Sequence, residues 1–211
     1  ETALREIDAF VQQQGGLTLM DEIYLPLNHD PVYAQSALAL GEHIVSVNSF
    51  SKYFGMTGWR LGWLVVPSDC TAHLERLAQN LFICPSTIAQ HAALACFEPE
   101  SLAEYERRRL SFRQRRDAFI PALEQMGLHV PVVPDGAFYV WADASSWCRQ
   151  KGLASSWELS LALLEHAHVV VTPGRDFSQH APGRCIRFSI ANSMDELMRA
   201  AQRMSDWIHA P

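Results

Sequence analysis

Residues 49–63, SFSKYFGMTGWRLGW, contain one of only two lysines in a chain that has 15 arginines. Lys52 follows the β-branched run HIVSVNS at 43–49, which predicts a strand. It therefore lies beyond the carboxyl end of a strand, where open α/β sheets bind ligands. Desolvation among apolar and glycine residues disfavours a charged lysine, and a neutral amine can attack a carbonyl. Lys52 is thus a candidate to form a Schiff base with an aldehyde. The alternative is a loop lysine that extends into solvent.

Other polar side chains of the same stretch suit a phosphate group. Ser49 and Ser51 offer hydroxyl groups, and Arg60 offers a guanidinium that can bind two phosphate oxygens. Three glycines in the stretch permit close approach of the backbone. Together with Lys52, these residues indicate a phosphorylated aldehyde. The alternatives are serines that satisfy a turn, an Arg60 that pairs with a structural carboxylate, and glycines that serve only the bend.

A second polar group, DEIY at 21–24, follows the short apolar run LTLMD, which is typical of a buried strand. A carboxylate at the end of a strand can keep a pyridine nitrogen protonated, so Asp21 is a candidate partner for such a ring. Tyr24 is a candidate hydrogen-bond partner for a phenolic oxygen on the same ring. The alternative is that Asp21 only caps a helix or forms a turn.

Composition narrows the class of partner. The chain has 211 residues, of which 48% are hydrophobic, a net charge of −6 and a sequence pI of about 5.8. An acidic chain argues against nucleic acid or an anionic membrane held by bulk charge. Six arginines at 107–116 could form a basic patch. However, Glu104 precedes Arg108 by four residues and Glu106 precedes Arg109 by three, a spacing that favours ion pairs on a solvated helix face.

The cysteines and histidines give no sign of a disulfide framework or a metal centre. Five cysteines are odd in number and lack the C-x-x-C spacing. This pattern favours reduced thiols and a cytoplasmic location. The nine histidines form no zinc-binding motif, so no metal is predicted. No run of apolar residues is long enough to predict a membrane span.

Helix and strand patterns alternate along the chain, which predicts an α/β fold with a mostly parallel sheet. The first helix, 1–14, is expected to end at Gly15 and Gly16. A charged, proline-bearing break at 98–101 predicts two domains, 1–99 and 100–211. The other predicted helices are 68–83, 85–98 with Pro85 in its first turn, 100–126, 157–167 and 195–208. The predicted strands are 17–21, 43–49, 61–67, 130–133, 137–143, 168–172 and 185–191.

DEIY, followed about thirty residues later by SFSKYFGMTGWRLGW, resembles the class I/II pyridoxal-phosphate aminotransferases of fold type I, the aspartate aminotransferase superfamily. By this resemblance Lys52 matches the lysine that forms the Schiff base with pyridoxal 5′-phosphate. Asp21 matches the partner of the pyridine nitrogen, and Tyr24 the partner of the ring O3′. Ser49 and Arg60 match phosphate ligands, and Ser51 is a weaker candidate for the same role.

The resemblance continues into the second half of the chain. PDGAFYVW at 134–141 and VVVTPGRDF at 169–177 are similar to segments of the family's small domain. CIRFSIAN at 185–192 resembles the strand whose arginine binds the substrate α-carboxylate. That role falls on Arg187, and Arg184 lies outside the motif. The alternative for Arg187 is an ordinary salt bridge within the sheet.

The resemblance implies an aminotransferase that moves an amino group between an α-amino acid and a 2-keto acid in a ping-pong cycle. It also implies a homodimer. The chain carries only the later part of the family pattern, so we expect a fragment that comprises part of the large mixed-sheet domain and the small C-terminal α/β domain. Such a fragment is expected to expose apolar sheet surface, bind the cofactor poorly and have little activity alone. The alternatives are a lyase, decarboxylase or synthase on the same fold, or a non-catalytic sensor domain of a transcription regulator.

Overall fold

The computed structural model describes residues 2–179 and 181–210. The chain divides into two compact units, Glu1–Arg109 and Leu110–Pro211. The division falls within the longest helix, whereas the boundary predicted at 98–101 lies at the start of that helix. The helices are α1 (Thr2–Gln13), α2 (Thr71–Leu81), α3 (Thr87–Leu94), α4 (Pro99–Gln125), α5 (Ser145–Gln150), α6 (Ser156–Ala162) and α7 (Met194–His209). The strands are β1 (Leu19–Asp21), β2 (Val45–Ser49), β3 (Gly62–Val65), β4 (Tyr139–Asp143), β5 (Thr172–Pro173) and β6 (Cys185–Ser189).

The first unit contains a mixed sheet in the order β1-β2-β3. β1 and β2 are parallel, with Asp21 opposite Val47, and β3 runs antiparallel to β2. Parallel pairing places the carboxyl ends of β1 and β2 at the same edge, so the segments that follow them emerge side by side. The outer strands expose apolar side chains, among them Leu19 and Leu64, at 59% and 52% of their surface. The predicted exposure of apolar sheet surface is confirmed.

Helix α1 ends as its sequence predicts. Gly15 has a φ of +68°, and the amides of Gly15 and Gly16 donate to the carbonyl groups of Gln12 and Val11. This is the glycine-terminated arrangement that satisfies the last carbonyl groups of a helix. The buried residue of this helix is Asp8, whose carboxylate accepts a hydrogen bond of 2.6 Å from the Thr18 hydroxyl. A polar contact therefore anchors α1 to the start of the sheet.

The second unit has an antiparallel sheet in the order β4-β6-β5 and a large apolar core. Among its fully buried side chains are Val140 and Ile186 from the sheet and Trp147, Leu159 and Ile208 from the helices. Serine caps fix two helix starts. Ser155 accepts from the amide of Glu158, and Ser193 accepts from the amide of Glu196. Both follow the S-x-x-E pattern, in which a serine satisfies an unpaired helix amide.

Several details of the sequence prediction are wrong. The sheet was predicted to be mostly parallel, but among the described strands only β1 and β2 pair in parallel, whereas β2–β3, β4–β6 and β5–β6 are antiparallel. Residues 130–133 form no strand, because Pro131 has no amide hydrogen to donate to a ladder. In the run 168–172, Val169 and Val171 are buried and Val170 is exposed, yet pairing with β6 begins only at Thr172. Pro85 precedes the N-cap, Ser86, and is not part of the first turn of α3. Helix α5 was not predicted at all.

Candidate active site

The loop that carries Lys52 closes the antiparallel pair β2–β3, in which Ser49 lies opposite Gly62. The amide of Phe50 donates to the carbonyl of Leu61 at 3.1 Å, and the amide of Met56 donates to the carbonyl of Phe50 at 3.0 Å. These bonds bring the two ends of the loop together. The side chains of Phe50, Met56 and Leu61 are buried.

Below the loop lies a small core that holds it against the helices. Phe50, Met56 and Leu61 share this core with α3 residues Ala89 and Ala93 and with Cys96 and Tyr105. The motif therefore has two sides. Its apolar residues pack inward on α3 and α4, while Arg60 remains exposed and Lys52 is half-buried.

Lys52 and Tyr24 lie close together. The Nζ atom of Lys52 is 5.8 Å from the centroid of the Tyr24 ring, a distance at which the ring face attracts a cation. Each residue follows one of the two parallel strands, β2 for Lys52 and β1 for Tyr24. The structure thus brings together two residues that are 28 positions apart in the sequence and were both predicted as site residues.

Asp21 is the last residue of β1 and is exposed. Its Oδ1 atom accepts a hydrogen bond of 3.1 Å from the amide of Ile23. The residue therefore does form the turn that was considered as its alternative role. Within the described part of the chain, Oδ2 has no hydrogen-bond donor, so one carboxylate oxygen is available for a further partner.

Ser49 and Ser51 form a connected hydroxyl pair. Ser49 Oγ accepts from the amide of Ser51 at 3.0 Å and lies 2.9 Å from Ser51 Oγ and 3.3 Å from the carbonyl oxygen of Leu61. Both serines thus also satisfy the turn. A hydroxyl has one proton to donate, and the long bond to Leu61 is the one most easily exchanged for another acceptor.

Arg60 adopts left-handed backbone angles, with φ +54° and ψ +48°. A non-glycine residue in this region is strained, and such strain clusters at functional sites. Its Nη1 atom donates to the carbonyl of Thr57 at 3.0 Å. Among the described residues no carboxylate pairs with Arg60, so the predicted alternative of a structural ion pair is not observed.

Glu22 is a buried carboxylate that the sequence reasoning missed. Only 7% of its surface is exposed, and it accepts hydrogen bonds from the hydroxyls of Ser36 and Ser46 and the amide of Ala37. Side chains alternate along an extended chain, so Glu22 turns inward where Asp21 turns outward. Glu22 ties the segment after β1 to β2 and thereby fixes the neighbourhood of Tyr24.

Arg187 lies in the middle of β6, opposite Trp141 on one side and Thr172 on the other. Its guanidinium carbon is 4.1 Å from the centroid of the Tyr139 ring and 4.0 Å from that of Phe177. Two aromatic rings therefore hold the guanidinium plane, as is common for arginine.

The salt bridge considered as an alternative for Arg187 is not observed. None of the carboxylates in the segments 2–179 and 181–210 pairs with it. Arg184, which lies outside the motif, does pair with a carboxylate, that of Asp143.

The arginines of α4 form the predicted ion pairs. Glu104 binds Arg107 and Arg108, and Glu106 binds Arg109. Hydrogen bonds from Arg107 and Arg108 lower the pKa of Glu104 to about 2. The predicted ion pairs are confirmed, but the face is not solvated throughout, because the side chains of Arg109 and Arg116 are only 16% and 13% exposed.

The described residues contain neither a candidate membrane-spanning helix nor a metal-ligand cluster. No helix there combines the length and apolar character needed to cross a bilayer. The same residues contain no group of three or more His, Cys, Asp or Glu side chains arranged to hold a metal ion.

A lysine loop at the carboxyl edge of a mixed sheet, followed by a small antiparallel α/β unit, agrees with the fold type I transferases that the sequence resembles. Comparison with known proteins agrees with this class. The profile of the family described as aminotransferase class I and II matches residues 1–204. The chain belongs to that family.

Individual relatives agree with the family assignment. The chain is 35% identical to a valine–pyruvate aminotransferase of Mycobacterium tuberculosis over 90% of its own length and 48% of the relative's. It is also 35% identical to aromatic-amino-acid aminotransferase 2 of Thermococcus litoralis, over 95% of its length and 51% of the relative's. A crystal structure of an aminotransferase from Mycobacterium tuberculosis superposes with a TM-score of 0.89 at 32% identity, covering 97% of this chain and 52% of that one. The predicted fold class is confirmed, and the chain spans about half the length of the relatives it matches.

Proposed function

We propose that the protein containing this chain is a pyridoxal-phosphate-dependent aminotransferase that moves an amino group between an α-amino acid and a 2-keto acid. The observation that carries the proposal is the convergence of Lys52 and Tyr24 at the edge where Asp21 ends β1. An amine, a phenol and a carboxylate are the three groups needed to hold the functional ring of this cofactor. The family of the chain supports the same activity.

The residues fit the cofactor in their chemistry. Lys52 supplies the amine for its aldehyde, Asp21 has one oxygen available for its ring nitrogen, and Tyr24 supplies a hydroxyl for its O3′. Arg60 has no carboxylate partner among the described residues, and with the Ser49 and Ser51 hydroxyls it offers a donor set for the phosphate. Pyridoxal 5′-phosphate, when bound, supplies an aldehyde that condenses with amines and a ring that accepts electrons.

The residues of the chain then have separate tasks. Asp21 keeps the ring nitrogen protonated through a charge-assisted hydrogen bond. As general base and acid, Lys52 would take a proton from the substrate Cα and deliver it to the C4′ carbon of the cofactor. Tyr24, beside Lys52, holds the ring oxygen. Arg187 binds the α-carboxylate of the substrate, because two aromatic rings lie against its guanidinium and no described carboxylate competes for it.

The role of Lys52 can be tested without turnover. The whole protein is incubated with pyridoxal 5′-phosphate and treated with borohydride, which adds hydride to the carbon–nitrogen bond and fixes the cofactor to the amine it has joined. Peptide mass mapping is expected to place the label on Lys52. The chain has one other lysine, Lys151, whose amine donates to the carbonyl of Ala210. Lys151→Arg is the matched control, because it removes the other side-chain amine of the chain.

The expected results separate the two lysines. Lys151→Arg should label as the parent does, and Lys52→Arg should lose the label. Labelling that persists in Lys52→Arg, or amino transfer at the parent rate in Lys52→Ala of the whole protein, refutes the assignment. Loss of ammonia or carbon dioxide from the amino acid, in place of formation of a keto acid, would point to a lyase or decarboxylase.

The cellular compartment and the oligomeric state of the whole protein are part of the same proposal. We propose that it acts in the cytoplasm as a homodimer on small amino and keto acids. Five thiols without a disulfide suit a reducing compartment. Light scattering of the whole protein tests the dimer, and a mass equal to one chain would reject it.

A further inference from the structure

A chain of hydrogen bonds links the segment after Lys52 to the segment after Tyr24. The Tyr53 hydroxyl donates to Glu106 Oε1 at 2.8 Å, and Arg109 Nε donates to Glu106 Oε2 at 2.8 Å. Arg109 Nη1 donates to the carbonyl oxygen of Asn28 at 2.9 Å. Tyr53 is the neighbour of Lys52 in the sequence.

Hydrogen bonds connect the turn that contains Asn28 to the backbone of Tyr24 and Leu25. The amide of Leu27 donates to the carbonyl of Tyr24 at 2.9 Å, and the side-chain amide of Asn28 donates to the carbonyl of Leu25 at 3.0 Å. Since Lys52 Nζ also lies 5.8 Å from the Tyr24 ring centroid, the contacts form a closed circuit through both segments and α4.

Part of the circuit is shielded from water, although the Glu106 side chain is 48% exposed. The Arg109 side chain is only 16% exposed. The Tyr53 ring packs against those of Tyr105 and Phe54, at centroid distances of 5.3 and 5.2 Å. Burial and the neighbouring Glu106 carboxylate raise the pKa of Tyr53, so the phenol stays protonated and remains a donor.

We propose that Glu106 and Arg109 are positioning residues that hold Lys52 and Tyr24 at their observed separation. Neither residue touches the reacting atoms. Arg109 acts because its planar guanidinium reaches a carboxylate with one nitrogen and a backbone carbonyl with another, a geometry that lysine cannot reproduce. The inference rests on the proposed function, since it assigns to the circuit the spacing of two groups of that site.

The sparse lysine content makes the spacing measurable by NMR in the absence of cofactor. In protein labelled with ¹³C at lysine Cε, these 211 residues contribute two side-chain signals, and the signal that disappears in Lys52→Arg is that of Lys52. The contact is followed as the nuclear Overhauser effect between the Lys52 Hε protons and the Tyr24 ring protons. The test variants are Arg109→Lys, Glu106→Gln and Tyr53→Phe.

We expect each test variant to weaken the Overhauser effect between Lys52 and Tyr24 several-fold, because loss of one hydrogen bond of the circuit lets the two segments move apart. The matched control is Arg107→Lys on the same helix. Among the described residues, Arg107 pairs with Glu104 and with no other carboxylate, and its side chain is 69% exposed. The control should leave the contact unchanged.

Two results would overturn the proposal. One is an unchanged contact in Arg109→Lys and Glu106→Gln, and the other is an equal loss in Arg107→Lys. If either charge variant fails to fold, Tyr53→Phe still decides, because it removes one hydroxyl and keeps the packed ring. Failure of the borohydride label on Lys52 would reject the proposed function instead, and the two failures are therefore distinguishable.

Discussion

A single methyl group at Gly62 should disturb the lysine loop. Gly62 lies opposite Ser49, at the point where β2 and β3 enclose the loop. A Cβ atom built there would lie 2.7 Å from the carbonyl oxygen of Asn48 and 3.6 Å from Ser49 Cα. Both atoms belong to the backbone of β2, so no side chain can rotate away. The strand itself must move.

The cost follows from that geometry. Forcing an extra carbon into a packed position costs about 1–3 kcal/mol. For a chain of this size, about 2 kcal/mol lowers the unfolding temperature by roughly 4–8 °C. The same movement of β2 displaces Ser49 and weakens the hydrogen bond between the Phe50 amide and the Leu61 carbonyl, which is 3.1 Å long. Gly62→Ala should therefore reduce both stability and the labelling of Lys52 by the cofactor.

Gly58→Ala is the matched control. Gly58 belongs to the same motif, within the short 3₁₀ helix Thr57–Trp59, and a Cβ atom there meets no atom within 4 Å. Urea unfolding followed by tryptophan fluorescence compares the two variants, since Trp63 lies in β3. Gly58→Ala should unfold near the parent midpoint and Gly62→Ala well below it. Equal midpoints for the two variants would show that β2 tolerates the contact and would refute the reasoning.

Two further predictions concern a buried carboxylate and a stacked arginine. The hydrogen bond from Thr18, with smaller contributions from His43 and Gln12, lowers the pKa of Asp8 below its ordinary value. The ionised carboxylate of Asp8 therefore stabilises the fold at pH values above the ordinary pKa. This stabilisation is lost as the pH falls through the folded-state pKa. Urea midpoints of the parent should therefore fall more steeply between about pH 5 and pH 3 than those of Asp8→Asn; parallel profiles would contradict this. In the whole protein, Arg187→Lys should raise the KM for the amino acid about tenfold with a smaller change in kcat, because lysine loses both the ring stacking and the two-point carboxylate contact. Steady-state kinetics measures the split, and an unchanged KM would exclude Arg187 as the carboxylate ligand.

Local patterns predicted much of the structure. The end of α1 at Gly15 and the ion pairs of Glu104 and Glu106 depend on residues a few positions apart, and the structure confirms them. The lysine loop and the DEIY segment could be recognised for the same reason. Each is a short stretch that resembles a family motif, so its role could be expected from the sequence without knowledge of distant contacts.

Strands were predicted less well, because a strand depends on a partner as well as on its own sequence. The run 168–172 has the alternating burial of a strand, with Val170 81% exposed between two buried valines. Alternation shows that the chain is extended and has one side against the core. It does not show whether backbone groups of a neighbour are aligned with it, and that alignment begins only at Thr172.

The circuit around Lys52 shows a different limit of sequence reasoning. Its decisive contacts join Tyr53 to Glu106 and Arg109 to Asn28, which are 53 and 81 positions apart. From the sequence, Glu106 and Arg109 were interpreted as an ordinary surface pair, and the i,i+3 contact that was predicted is indeed present. The fold gives that pair a second set of partners on the side facing the loop. Local spacing predicts the pairs Glu106–Arg109 and Glu104–Arg107 equally well. Only the tertiary contacts of Glu106 and Arg109 distinguish the pair that we propose positions Lys52 from the pair that does not.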